Sequence, residues 1–239
     1  MSLSPPEGNG PLLRERLRTA RLYFCCEARP AGADPEALLR SALGGGVDIV
    51  QLREKQLGRA EIERAADTYS ALFIVNDDPD LTRACDADGV HVGQDDTSAE
   101  EARELLGPDA IIGLSTHSEE QIAAAAARPV DYISVGPIWE TPTKQGRAAV
   151  GLELVSYAAA HATRPFFAIG GIDAGNAEGV VRAGARRLCA VRAIRDAADP
   201  GAAATELRRA FAAADGTARG SQDALFDTPA PWRGVAPGG

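Results

Sequence analysis

The chain has 239 residues, 45% of them hydrophobic and 25% charged, and a formal net charge of −9, which suits one soluble domain long enough for a complete α/β barrel. An acidic chain lacks the basic footprint of a nucleic-acid binder, so any anionic substrate has to be held by a local cluster of cations. No run approaches the roughly 18 consecutive apolar residues of a membrane span, and the opening MSLSPPEGNG lacks the charged and apolar regions of a signal peptide; the expected setting is cytoplasmic and the expected partners are small-molecule substrates, with no nucleic acid and no membrane, a homodimer being left open.

Residues 1–18 are rich in Pro, Gly and charge and read as a flexible lead holding at most a short amphipathic turn. Short aliphatic or β-branched runs then alternate with alanine-rich helical segments. The runs are Leu22 to Cys26, Val47 to Leu52, Leu72 to Val75, Gly89 to Val92, Ile111 to Leu114, Tyr132 to Val135, Phe166 to Ile169 and Leu188 to Val191. Helix starts are marked independently of hydrophobicity. Asp34 is an N-cap candidate with Pro35 at the first helical position, and Ser98 with Glu101 and Ser118 with Gln121 have capping-box spacing.

Eight strand-then-helix units imply a parallel sheet, and eight is the number that closes. The predicted fold is a single (β/α)8 TIM barrel of the phosphate-binding type over residues 19–214, with an open doubly wound sheet as the alternative. From residue 215 the sequence DGTARGSQDALFDTPAPWRGVAPGG has many Gly and Pro and no sustained period, and reads as a disordered tail with Trp232 exposed. The cysteines Cys25, Cys26, Cys85 and Cys189 show no CxxC spacing. Adjacent Cys25 and Cys26 would point to opposite faces of a strand, and reduced core thiols are expected rather than redox or metal roles.

The polar residues gather just after the predicted strand ends. They are Gln51 to Lys55, Asn76 to Asp78, Gly93 to Asp96, Ser115 to His117, Thr141 to Lys144, Gly170-Gly171 and Val191-Arg192. In a parallel barrel these ends share one rim, where the active sites of this fold lie. Gly170-Gly171 and the turn after Val191 can offer backbone N–H groups to a phosphate, simple tight-turn glycines being the alternative. Arg53, Lys55 and Lys144 are three cations on that rim, suited to a diphosphate leaving group, where the plainer reading of each alone is a solvated charge. Asp77 and Asp96 end neighbouring strands and suit Mg²⁺ shared with a diphosphate, while Asp78 and Asp95 beside them could cap helices instead. His91 could orient Asp96 or a substrate, or be a satisfied rim histidine; His117 and His161 read as structural or exposed. No Ser/His/Asp or Cys/His arrangement and no zinc motif is suggested.

From about Arg21 to Ala213 the chain resembles the thiamine-phosphate synthase family, in the phrases VQLREK, IVNDDPDL, DGVHVGQDD, GLSTHS, DYISVGPIWETPTK and AIGGI, which occur in family order on successive strand ends. The resemblance implies a transferase that displaces diphosphate from an aminopyrimidine's methylene carbon with the nitrogen of a thiazole phosphate, carboxylated or not, giving thiamine phosphate. It assigns Gln51, Leu52, Arg53, Glu54, Lys55, Asn76, Ser115 and Lys144 to the pyrimidine diphosphate, with Arg53, Lys55, Ser115 and Lys144 as the catalytic set. It assigns Thr141, Pro142, Thr143, Gly171, Val191 and Arg192 to the thiazole phosphate, and selects Asp77 and Asp96 as the Mg²⁺ ligands.

A thiazole tautomerase on the same barrel would not need the diphosphate apparatus, and a non-catalytic phosphate-sensing barrel would release no diphosphate. Two features depart from the family pattern: the stretch between Lys55 and Asn76 is short, and Arg192 stands where serine is frequent.

Overall fold

The computed structural model describes residues 8–26, 35–53, 71–141 and 148–215. Eight parallel strands close into one barrel in chain order, β1 pairing with both β2 and β8. The strands are β1 (Leu22–Cys26), β2 (Ile49–Leu52), β3 (Leu72–Asn76), β4 (Gly89–Val92), β5 (Ile111–Thr116), β6 (Tyr132–Val135), β7 (Phe166–Ile169) and β8 (Leu188–Ala190). The described helices are α1 (Gly10–Thr19), α2 (Glu36–Gly44), α3 (Pro79–Ala84), α4 (Ala99–Leu106), α5 (Glu119–Ala124), α6 (Gly151–His161), α7 (Ala177–Arg182), α8 (Arg192–Arg195) and α9 (Pro200–Asp215). None of them is long and apolar enough to cross a membrane.

Alternation along each strand separates two cores. Leu22, Phe24 and Cys26 face outward into the cluster between strands and helices. Tyr23 and Cys25 face inward, with Ile49, Ile74, Ile111, Tyr132, Phe167 and Cys189. The expected split of Cys25 from Cys26 is therefore observed, and all four cysteines are buried and reduced.

The N-terminal lead is not what its composition suggests. Residues 10–19 form α1, whose Leu13 and Leu17 are spaced for one helix face and are buried against the barrel's interior cluster. Arg14 donates to the Asp131 carboxylate at 2.7 Å and to the Pro108 carbonyl at 2.6 Å. Both acceptors precede the strands β6 and β5, so α1 covers the N-terminal end of the barrel, opposite the rim. At the other terminus α9 runs to Asp215; the predicted tail with Trp232 lies outside the described residues.

Aspartates set the starts of the strand pairs. Asp48, Asp88 and Asp131 each stand one residue before β2, β4 and β6. Each carboxylate accepts a backbone N–H from the preceding strand, at Leu22 (2.9 Å), Phe73 (2.8 Å) and Ile112 (2.8 Å). Strand β2 begins at Ile49, after Asp48, and not at the predicted Val47. At the rim β5 runs two residues further than predicted, to Thr116, and β8 stops at Ala190 because the backbone at Val191 turns into α8.

The capping box expected at Ser98 is present, Ser98 accepting from Glu101 N and the Glu101 side chain from Ser98 N; at Ser118 only half of it forms, since Ser118 accepts from Gln121 N while the Gln121 side chain accepts from His117 N at 2.7 Å. Helix α2 begins at Glu36 with Pro35 at its N-cap, one position later than expected, and Asp34 lies outside the described residues.

Candidate active site

The C-terminal ends of the strands surround a cavity of about 320 Å³. Its floor is made by inward side chains of the strands themselves, and its walls by the loops that follow. Gln51 of β2 is buried in the floor, beside Cys25, its register partner on β1. Cys25 Sγ donates to Gln51 Oε1 at 3.1 Å and Gln51 Nε2 donates to Tyr23 Oη at 3.0 Å.

From there a buried chain of hydrogen bonds crosses the barrel. Tyr23 Oη lies 2.9 Å from Tyr132 Oη, Tyr132 Oη 3.0 Å from His91 Nδ1, and His91 Nε2 3.0 Å from Ser115 Oγ. Proton counting gives the chain a direction. An amide nitrogen only donates, so Tyr23 accepts from Gln51 and its own hydrogen goes to Tyr132. Tyr132 then donates to His91 Nδ1, which makes Nε2 the protonated nitrogen, and Nε2 donates to Ser115. The Ser115 hydroxyl hydrogen is left to point elsewhere, and Ser115 lines the cavity. Burial raises the pKa of both tyrosines well above the ordinary phenol value, so both hydroxyls stay protonated.

Arg53, Asn76, Thr141, Gly171, Val191 and Arg192 also line the cavity. Gln51, Arg53, Asn76 and Ser115 come from the β2, β3 and β5 side, Gly171, Val191 and Arg192 from the β7 and β8 side, so these members of the two predicted sets line one space. Alternation turns Leu52 outward between Gln51 and Arg53, and its side chain packs in the outer cluster and not in the cavity. Glu54, Lys55, Pro142, Thr143 and Lys144 lie outside the described residues, as does the short stretch after Lys55.

The glycines after β7 are required twice. Gly170 and Gly171 have φ of 107° and 68°, and a Cβ at Gly170 would sit 2.5 Å from Pro137 Cα. Asn176 Nδ2 holds the loop by donating to Gly171 O at 2.8 Å. Short helix α8 follows β8; its first intrahelical bonds begin at Ile194 N and Arg195 N, both to Val191 O. Arg195 takes the Asp196 carboxylate, at 2.6 Å.

The carboxylates sort themselves. Asp78 is the N-cap of α3, its side chain accepting from Leu81 N at 2.9 Å. Asp77 is held in the left-handed region at φ 62°, which few non-glycine residues adopt, and accepts from Asn76 Nδ2. Asp96 is exposed and accepts from Gly93 N at 2.8 Å, and Asp95 is exposed. His91 contacts Tyr132, Ser115 and Ser134. Among the described residues no three His, Cys, Asp or Glu side chains gather as a metal cage.

A family model described as thiamine monophosphate synthase matches residues 22–194. The chain belongs to the thiamine monophosphate synthase family. The thiamine-phosphate synthase of Acidothermus cellulolyticus is 49% identical over 211 residues, covering 84% of this chain and 100% of that protein. That of Mycobacterium tuberculosis is 49% identical over 218 residues, covering 84% and 98%. In structure, the thiamine phosphate pyrophosphorylase from Pyrococcus furiosus superposes with a TM-score of 0.73 at 31% identity, covering 84% of this chain and 98% of that one.

The synthase phrases cluster at strand ends, and that is what the sequence reading found. Tyr23, Cys25 and Cys189 on the cavity wall lie in no such phrase, Ser134 lies in one without an assigned role, and His117, expected on the rim as structural or exposed, is part of the wall as well. His117 lines the cavity with Nδ1 bonded to Gly136 O. Only the inward parity of each strand, fixed once Gln51 is known to face in, would have singled these residues out.

Proposed function

We propose that this thiamine-phosphate synthase breaks the bond between the methylene carbon and the diphosphate oxygen of an aminopyrimidine substrate, and then forms the bond from that carbon to the nitrogen of a thiazole phosphate. Supporting this reading above all is the cavity lined together by Gln51, Arg53, Asn76 and Ser115 on one side and Gly171, Val191 and Arg192 on the other. An electron-rich pyrimidine stabilises a cation at the methylene carbon, so the leaving group departs largely before attack, and the protein needs no nucleophile of its own. Its work is alignment and charge stabilisation.

Gln51 keeps one amide hydrogen and one carbonyl lone pair after its bonds to Tyr23 and Cys25, enough to pair with the edge of an aminopyrimidine. Arg53 supplies a planar donor fork to the departing diphosphate, and Ser115 a hydroxyl aimed by His91. Gly171, Val191 and Arg192 hold the thiazole phosphate at the β7–β8 end, the usual phosphate position of this fold. Lys55, Lys144, Pro142 and Thr143 keep the roles that the family resemblance gives them.

Asp77 and Asp96 follow the paired strands β3 and β4, and two carboxylates suit Mg²⁺ of the kind that takes one or two of them and completes its shell with water and substrate oxygens. When bound there, Mg²⁺ would neutralise charge developing on the diphosphate. Mixing both substrates with the purified protein should give thiamine phosphate by mass spectrometry only when Mg²⁺ is present. No diphosphate release under those conditions would refute the reading. Asp77→Ala should lose most turnover with its melting curve intact; near wild-type activity at saturating Mg²⁺ would remove Asp77 from the metal site.

A further inference from the structure

We infer that Cys25 and Cys189 form a dithiol site, in the wall of the active-site cavity, for a single thiophilic metal or metalloid centre. The two residues are 164 positions apart, and closure of the barrel brings them together. Tyr23 of β1 is the register partner of Cys189 on β8, so Cys25 lies one inward step along the strand. Both side chains face the interior cluster, both line the cavity, and their Sγ atoms are 3.5 Å apart. Cys26 faces outward and Cys85 belongs to the outer cluster, so the cavity presents two thiols and not four.

Distance decides which chemistry the pair suits. A tetrahedral centre with metal–sulfur bonds of about 2.3 Å holds two sulfurs about 3.8 Å apart, close to the spacing already present. A disulfide needs the sulfurs at about 2.05 Å, with both Cβ atoms turned toward one another, a larger move for two residues on a diagonal between neighbouring strands. Two thiols in a wall shared with Phe167 and Tyr23 select a soft centre over a hard one such as Mg²⁺. With a hydrated aryl arsenoxide, two As–O bonds break and two As–S bonds form. Both thiol protons leave with the hydroxyls as two waters, and no electrons are transferred. With a soft divalent cation the two protons go to solvent. Either centre removes the hydrogen that Cys25 donates to Gln51 Oε1, so occupation of the dithiol disturbs the floor of the cavity.

The test titrates the full-length protein with phenylarsine oxide and follows intact mass. The expected result is one phenylarsenic group per chain, retained in excess monothiol, removed by a dithiol such as 2,3-dimercaptopropanol, and accompanied by loss of turnover. Peptides carrying Cys25 and Cys189 should be the ones shielded from iodoacetamide. Cys25→Ser and Cys189→Ser should each abolish uptake, with the alanine variants as substitutes if serine prevents folding, whereas Cys26→Ala and Cys85→Ala should keep it. The pyrimidine diphosphate should slow uptake, and this arm alone rests on the proposed place of that substrate beside Gln51. Uptake without protection supports the dithiol site and counts against that placement. No uptake by the folded wild type, or uptake that survives in both the Cys25 and Cys189 variants, overturns the inference.

Discussion

Replacing Tyr132 with phenylalanine tests the buried hydrogen-bond chain at its central link. The ring is fully buried and packs edge-on against Phe167, with centroids 5.5 Å apart; phenylalanine keeps that contact and leaves no cavity larger than a hydroxyl. What disappears is the one group that accepts from Tyr23 and donates to His91, at 2.9 and 3.0 Å. Tyr23 loses its acceptor and His91 Nδ1 its donor, both away from water. Each stranded polar group costs about 1 to 3 kcal/mol, and with some relaxation the pair should cost about 2 to 5 kcal/mol. At about 2 to 4 °C per kcal/mol for a domain of this size, the melting temperature should fall by about 4 to 20 °C in a circular-dichroism melt. The variant should also show a raised KM for the pyrimidine diphosphate, because Gln51 and Ser115 sit at the two ends of the weakened chain. A melting temperature within about 1 °C of wild type would mean that the hydroxyl is not the link described here.

Arg192→Ser should raise the KM for thiazole phosphate about 10- to 100-fold, the worth of one charge-assisted hydrogen bond, and barely change kcat; an unchanged KM would show that the side chain does not touch the phosphate. Asp131→Ala removes the acceptor shared by Ile112 N, Arg103 and Arg14, at 2.8, 2.8 and 2.7 Å, and should lower the urea-unfolding free energy by about 3 kcal/mol or more. Arg128 donates to Glu100 and, chiefly through that hydrogen bond, holds its carboxyl below the usual range. In Arg128→Ala the Glu100 carboxyl should titrate at higher pH by NMR. Because the folded-state pKa is the depressed one, the stability gap between wild type and variant should be present above the ordinary glutamate pKa and close as pH falls through the folded value.

The barrel was legible because its signals are local. Eight apolar runs, with serine caps such as Ser98 after the strand ends, state the order of elements without any knowledge of packing. Arg53, Asn76 and Ser115 were legible for the same reason, since strand ends become a rim in any parallel barrel. The floor was not. Tyr23, Tyr132 and His91 read as two aromatics and a rim histidine until closure stacks their strands at one level and joins their polar atoms. The helix at residues 10–19 was hidden by its neighbours: Pro and Gly dominate the composition of the segment, while the two leucines that decide its fate, Leu13 and Leu17, find their partners only inside a finished barrel.

The three aspartates ahead of β2, β4 and β6 have a bearing on the cavity that they never touch. Each fixes its strand against the one before it by a carboxylate-to-amide bond at the far end of the barrel. Slipping β2 by one position would exchange inside for outside along its whole length, sending Gln51 into the oily layer beneath the helices and turning Leu52 toward the substrates. Asp48 thus acts as an index mark: the chemical identity of the cavity floor depends on where this carboxylate, at the opposite pole of the molecule, finds its amide.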